Sequence, residues 1–535
     1  MANKKANKKS ILIVAIIAVA ALGVAAAVFL LWQREPEGLV VGISDLPDSL
    51  NPVLKQNTQG LNADELVFDG LVNFEVNLET AQMSSDLALA ESITQDPVTK
   101  KTYTAVLRDV KWHDGTPVTS ADVEYSFAAY TDPENQSPKR EYLNSFIESV
   151  KAVDAKTVQI EFRKPIPEFR AIPVLTFKII PSTFKGAKLS TNLHAGDNEK
   201  AFATAPIGTG PFILSTWEIG KWLTFKANTT YFRRAPATAS LVLRKILDPV
   251  IRLNEFRQKR INLILETSPL DRSEVEKFGK ISSFLPYAFY EVAINLKSPL
   301  FASPDARHAL SEAVNRSSLV PGITDRKDLA IVNNGPFPSN VLSRNFPEYN
   351  VAPFDDPYAY NPANAAKLAA SGGLSGKTAI LLFPDSLGDF GQKLADSLVA
   401  QYAKIGLTVE AKRTGDQVYR RLVFTEKTYD LALVYAEGFD NVYSDLGNWY
   451  KSKGSTNIFG INDKPLDDLF TTWDGTVVAN DWINITRQIH SRINDIAPAV
   501  YLVSLQKDVY SRAINNVVIA SDNPFLSVED WAQVK

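Results

Sequence analysis

YTAVLRDVKWHDGTPVTSADVEYSFAAYTD, residues 103–132, joins three locally consistent elements in one order. Tyr103, Ala105 and Leu107 alternate with Thr104, Val106 and Arg108, the period of a half-buried strand. His113-Asp114-Gly115-Thr116 reads as a turn. Thr119 then precedes Asp122 at capping-box spacing, and Val123, Phe127 and Tyr130 follow at i, i+4 and i+7, so a helix starts there. The order is strand, turn, capped helix, which points to an α/β chain.

Outward from it, Leu39-Val40-Val41-Gly42-Ile43 reads as a buried strand, and Val158, Ile160 and Phe162 mark another. Phe212 to Ala227 reads as a hairpin turning at Glu218 to Lys221. Lys377 to Tyr435 is a βαβαβ unit. It has strands at Ala379 to Phe383, Leu407 to Ala411 and Tyr429 to Tyr435, a helix carrying Leu394, Leu398 and Tyr402 that Gly406 stops, and a second helix near Gln417 to Thr425. At 535 residues the chain exceeds what one core usually supports, so two or three domains are expected, and a 45% apolar composition fills them.

Lys4, Lys5, Lys8 and Lys9 precede Ile11 to Trp32, a run without charge. Its 22 residues, at about 1.5 Å each, give roughly 33 Å, enough to cross a bilayer core. The expectation is a single-pass anchor at 11–32 in the cell membrane, a basic cytoplasmic 1–10, a polar tether at 33–38 holding Pro36, and everything beyond on the extracytoplasmic side. A cleavable signal with its small-residue site at Ala25-Ala26-Ala27 is the alternative. No cysteine is present, which excludes a lipid-modified cysteine, disulfides and thiol chemistry. Setting aside the four lysines, the formal charge of −3 becomes −7, and no long basic run offers a nucleic-acid footprint.

Catalytic and cofactor signatures are weak. Ser371-Gly372-Gly373-Leu374-Ser375-Gly376-Lys377-Thr378 nearly spells a P-loop, but serine replaces the first glycine, and the loop follows a helical pattern and precedes a strand. These glycines read as a helix stop and a turn. Four histidines, at 113, 194, 308 and 490, lack metal-ligand spacing. Ser182-Thr183-Phe184-Lys185 and Ser504-Leu505-Gln506-Lys507 match Ser-x-x-Lys without the companion motifs of acyl-enzymes. The expectation is a protein that is not an enzyme, with no metal and no cofactor.

The opening stretch, with its Trp112 to Pro117 turn and Asp122-Val123, resembles the cluster C extracytoplasmic solute-binding proteins. This is the peptide and nickel binding family, solute-binding protein family five, that serves ABC importers. Ile207-Gly208-Thr209-Gly210-Pro211-Phe212 resembles its GTGPY signature, followed by the aromatic pair Tyr231-Phe232. Ala306-Arg307-His308-Ala309-Leu310 with Ala313-Val314-Asn315-Arg316 is similar to its R-x-A-L…A-[IV]-[DN]-R helix, and Tyr360-Asn361-Pro362 with Ala365-Ala366-Lys367-Leu368 to the start of its late lobe. The resemblance implies a two-lobed periplasmic-binding-protein-like α/β fold (type II, cluster C) with an extra subdomain. Lobe I would comprise 39–63, 204–268 and 498–535, the inserted subdomain 64–203 and lobe II 269–497, with the chain crossing near Glu266 to Pro269 and Ala497 to Tyr501.

It also implies a site. Ligands in open α/β sheets bind outside strand ends, and Tyr435-Ala436-Glu437-Gly438-Phe439-Asp440 leaves such an end. In peptide-binding relatives this loop carries an aromatic residue and a carboxylate for the α-ammonium, so Tyr435, Phe439, Glu437 and Asp440 are candidates. The usual D-x-P pattern is absent, since Asn441-Val442 follows Asp440. Tyr287 is a candidate aromatic of the cleft and Asn295 a candidate cleft or hinge contact. The implied function is a membrane-anchored substrate-binding component of an ABC importer, capturing peptides or a similar small solute for a permease and, through it, its ATPase subunits. A non-transport sensor or chaperone and an extracellular hydrolase on the same scaffold are the rivals.

Overall fold

The computed structural model describes residues 38–54, 58–265, 267, 272–286, 288–324, 329–337, 352–436 and 445–534. The expected anchor at 11–32 and its flanks therefore lie outside the described residues. Among the described residues no helix is long and apolar enough to cross a membrane.

Two sheets organise the chain. The first has seven strands in the order Phe212–Glu218, Trp222–Ala227, Ser240–Lys245, Leu39–Ile43, Leu263–Ile264, Lys507–Ser511 and Lys280–Phe284. Leu39–Ile43 lies near its middle, parallel to both neighbours, because its run of Leu, Val and Ile has apolar cover on each face. The second has five strands, in the order Thr408–Thr414, Thr378–Pro384, Leu431–Ala436, Phe289–Ile294 and Ala499–Tyr501. Its first three are parallel, as the βαβαβ pattern requires, and helix Gly388–Ala403 makes the first crossover. Gly406, at φ 82°, lets the chain turn from that helix into the next strand.

The crossings between sheets come later than expected from the sequence. Lys280–Phe284 and Lys507–Ser511 pair antiparallel, Ile281 opposite Tyr510, at the edge of the first sheet. Both segments stay with the first lobe, and the chain changes sheets between Phe284 and Phe289 and again between Tyr501 and Lys507. The boundaries drawn at 268/269 and 497/498 are corrected accordingly. The cause is an edge pairing between two segments more than 200 residues apart, which local periodicity does not register.

Residues 90–162 form a four-stranded antiparallel sheet that includes Thr102–Leu107 and Thr157–Phe162. Its inward residues Tyr103, Ile160 and Phe162 belong to the same apolar core as Leu39, Val41 and Phe225 of the first sheet. Helix Ser120–Thr131 opens with the expected capping box, Thr119 N–H donating to Asp122 Oδ2 at 2.8 Å. Asp122 Oδ1 also accepts from Ser182 N–H and Oγ, so the cap anchors a distant loop.

The family-like motifs hold one another. Buried Asp69 accepts from Asn73 Nδ2 and Thr209 Oγ1, each at 2.7 Å, and from the Tyr231 hydroxyl at 2.8 Å. Gly208 N–H donates to His113 Nδ1, which leaves the proton on Nε2 to donate to Gly210 O at 3.0 Å. Burial lowers the His113 pKa and so favours this neutral ring. A Cβ at Gly208 would lie 1.8 Å from Val67 O, so only glycine fits there. The role of His113 is to bond the turn to the GTGPF loop. The P-loop-like stretch is a helix end, Pro362–Ser371, followed by turns at Gly373 and Gly376 into Thr378–Pro384.

Candidate functional site

The parallel strands of the second sheet end at Pro384, Thr414 and Ala436. Their carboxyl ends open onto a cavity of about 810 Å³ lined by Pro384, Asp416 and Tyr435 at or just beyond those ends. The facing wall comes from the other side of the crossing, from Thr267 and Leu505 to Asp508. The cavity thus lies where the chain passes between sheets, with walls from both lobes.

The second-lobe wall carries five aromatic rings, those of Tyr290, Tyr419, Phe424, Tyr435 and Trp449. Helix Asp416–Arg420 continues as a π-helix over Arg421–Glu426, a wider turn that presents Tyr419, Arg420 and Phe424 to the cavity. The Tyr419 hydroxyl donates to Leu433 O at 2.7 Å, which ties this helix to the sheet. Tyr290 packs against Tyr435 with ring centroids 4.9 Å apart, and Trp449 meets Phe424 edge-on at 6.3 Å. Asp416 accepts the Ser386 N–H, which lowers its carboxyl pKa.

The first-lobe wall is charged. Lys507 lies 5.7 Å from the Tyr435 ring centroid, a cation–π contact between the lobes, and pairs with Asp522. Asp508 is 4% exposed; its Oδ1 accepts from Arg272 Nη1 and Ser283 Oγ, each at 2.6 Å, and among the described residues its Oδ2 has no hydrogen-bond partner. Behind the aromatic wall, Glu291 sits between Val434 and Tyr501 on the neighbouring strands. It is fully buried, and among the described residues neither carboxylate oxygen has a hydrogen-bond partner. Burial pushes its carboxyl up to about 8.

Of the residues singled out from sequence, Tyr435 lines the cavity. Asn295 does not: its Nδ2 donates to Lys427 O and Tyr429 O, at 3.0 and 2.8 Å, fixing the loop that enters Leu431–Ala436. Glu437, Phe439, Asp440 and Tyr287 lie outside the described residues. Tyr419, Arg420, Phe424, Lys507 and Asp508 were missed. One signal for the last two was available, since Lys507-Asp508 sets two adjacent charges between Leu505 and the apolar Val509-Tyr510. A buried strand keeps such a pair only where something compensates it.

Several known proteins share this architecture. The ABC transporter substrate-binding protein CtaP of Listeria monocytogenes superposes with a TM-score of 0.81, at 22% identity, covering 94% of this chain and all of that one. The dipeptide-binding protein of Escherichia coli is 25% identical over 490 residues, 85% of this chain and 87% of that protein. Protein XP55 of Streptomyces lividans is 27% identical over 339 residues, 63% of this chain and 56% of its own length. The description "Bacterial extracellular solute-binding proteins, family 5 Middle" fits residues 86–457, a span that takes in the opening stretch, the Asp69-bonded GTGPF loop and most of the cavity's second-lobe wall. With more than half of its length matched in this way, the chain belongs to family 5 of the bacterial extracellular solute-binding proteins.

Proposed function

We propose that the protein is the solute-capturing component of an ABC importer, held to the membrane by residues 11–32, and that it takes a peptide or a similarly sized solute into the cavity for delivery to a permease. The observation that carries this reading is the cavity's position, at the carboxyl ends of three parallel strands with its second wall from the other lobe. Its volume of about 810 Å³ falls within the range of ligand pockets, about 300 to 1,000 Å³. Aromatic faces with a few placed charges suit a ligand of repeating amide groups and varied side chains. A ligand touching both walls favours the closed arrangement to the extent that it contacts closed better than open. The dipeptide-binding relative supports the peptide class, and the family supports the importer context.

Isothermal titration of the purified full chain with tri-, tetra- and penta-alanine tests the reading. Binding of at least one peptide, weakened by Ser386→Trp at the exposed cavity rim, is the expected result. Binding of none, or binding indifferent to that substitution, would refute it.

A further inference from the structure

A group of cations gathers at the end of the first sheet where the chain enters it. Leu39–Ile43 begins at that end; Val40 N–H donates to Asn262 Oδ1 at 2.9 Å, and Asn262 N–H donates to Val40 O at 2.7 Å. Arg512 N–H donates to Asn262 O at 2.8 Å, and Lys280 lies opposite Ser511 on the next strand. Helix Pro249–Arg257 ends at the same place. Lys259 N–H donates to Phe256 O and Arg260 N–H to Glu255 O, and Lys259, at φ 66°, takes the left-handed position that most often goes to glycine. The guanidinium groups of Arg257 and Arg512 both lie 5.7 Å from the Phe278 ring centroid, and Lys277 precedes that ring in the chain.

The nearby acids do not neutralise this face. Glu255, Glu274 and Glu276 are each paired to an arginine, Arg260, Arg257 and Arg272. Lys259, Lys277 and Lys280 are exposed, and the Lys280 amine donates to the neutral Asn515 side chain. A positive face on a chain whose formal charge beyond the N-terminal lysines is −7 calls for a negative partner. Position names that partner. The uncharged run ends at Trp32, and residues 33–38, at about 3.5 Å each, reach roughly 20 Å at most. Resting on the reading of residues 11–32 as a membrane anchor, we propose that this face lies on the anionic phosphate headgroups of the bilayer from which the chain emerges. The strand Lys507–Ser511 runs from the cavity wall to Arg512, so the cavity is at the opposite end of the lobe and opens away from the bilayer, where solute arrives. A contact made by exposed lysines is screened by salt and reversible, which leaves the lobe free to lift for delivery.

The experiment reconstitutes the full chain into vesicles of phosphatidylcholine alone, or with about a third phosphatidylglycerol, each carrying a trace of nitroxide-headgroup lipid. The chain has no cysteine, so Gln258→Cys places a single fluorophore on the basic face and, in a second sample, Ser386→Cys places one at the cavity rim. The expected result is that the anionic lipid raises quenching at position 258 by about two-fold or more and leaves position 386 unchanged. The rise should vanish in 1 M salt, where the screening length falls to about 3 Å, and in the combined variant Lys259→Gln, Lys277→Gln, Lys280→Gln. Quenching at 258 that ignores the anionic lipid, or that survives the triple substitution, would overturn the proposal while the chain still floats with both kinds of vesicle. Equal quenching at 386 would overturn the orientation. Failure of the wild type to float with phosphatidylcholine vesicles would refute the anchor, and the proposal with it.

Discussion

Glu291 gives the sharpest quantitative test of the second lobe's core. Its carboxyl lies between Val434 and Tyr501, with the phenols of Tyr419, Tyr450 and Tyr501 within electrostatic reach and, among the described residues, no cation paired to it. Burial raises its pKa from 4.5 to about 8, so the folded chain keeps at neutral pH a proton that the unfolded chain releases. The sign follows directly. The contribution is fully present below pH 4.5, declines as the pH rises, and is lost above about 8. The shift of ~3.5 units, at about 1.4 kcal/mol per unit, amounts to about 5 kcal/mol between those limits.

Glu291→Gln replaces the protonated acid by a neutral side chain of the same shape and removes the titration. Thermal melts of wild type and variant from pH 5 to 9 should nearly coincide at pH 5. At pH 8.5 the variant's second-lobe transition should lie higher by on the order of 10 °C, taking about 2 to 4 °C per kcal/mol for a domain of this size. Asp64 and Glu529, each raised to about 7, titrate in the same interval, but both chains carry them and the difference between the two curves cancels them. Parallel curves across this range, or a variant less stable at pH 8.5, would mean that Glu291 is ionised and partnered, and the reasoning would fail.

Gly208→Ala should cost about 3 kcal/mol or more in denaturant titrations, because the added Cβ meets the Val67 carbonyl. Gly115→Ala, with open space but φ 86°, should cost only about 1 to 2 kcal/mol. Asp69→Ala removes the shared acceptor of Thr209, Tyr231 and Asn73 and should destabilise the first lobe by about 3 to 5 kcal/mol in urea. Arg170, 3% exposed on helix Glu168–Val174, donates to Trp473 O and Asp474 O at 3.2 Å in the second lobe. Arg170→Ala should therefore raise the radius of gyration in X-ray scattering of the unliganded chain and weaken peptide binding several-fold; an unchanged radius would show that the contact does not hold the lobes together.

The elements legible in sequence were those whose cause is local. The capping box at Thr119 and Asp122, the alternation through Tyr103, Ala105 and Leu107, and the strand–helix rhythm from Lys377 to Tyr435 each depend on neighbours within a turn or a pleat, and the structure has them at those places. The GTGPF loop was legible only as a motif. Its physical reason, Asp69 gathering Thr209 and Tyr231 while His113 holds Gly208 and Gly210, spans residues 69 to 231 and leaves no periodic trace. The crossings were misplaced for the same reason, since the pairing of Ile281 with Tyr510 decides them. The site divides along that line too. Tyr435 stands on the cavity wall because a strand end is a local feature with a general consequence, whereas Asn295 bonds the loop that enters Leu431–Ala436 and does not line the cavity. Glu291 stands alone in an apolar strand and Asp508 beside Lys507, and neither position tells from sequence which partners the carboxylate has. Each has, among the described residues, a buried carboxylate oxygen without a donor, and that is a property of the assembled fold alone.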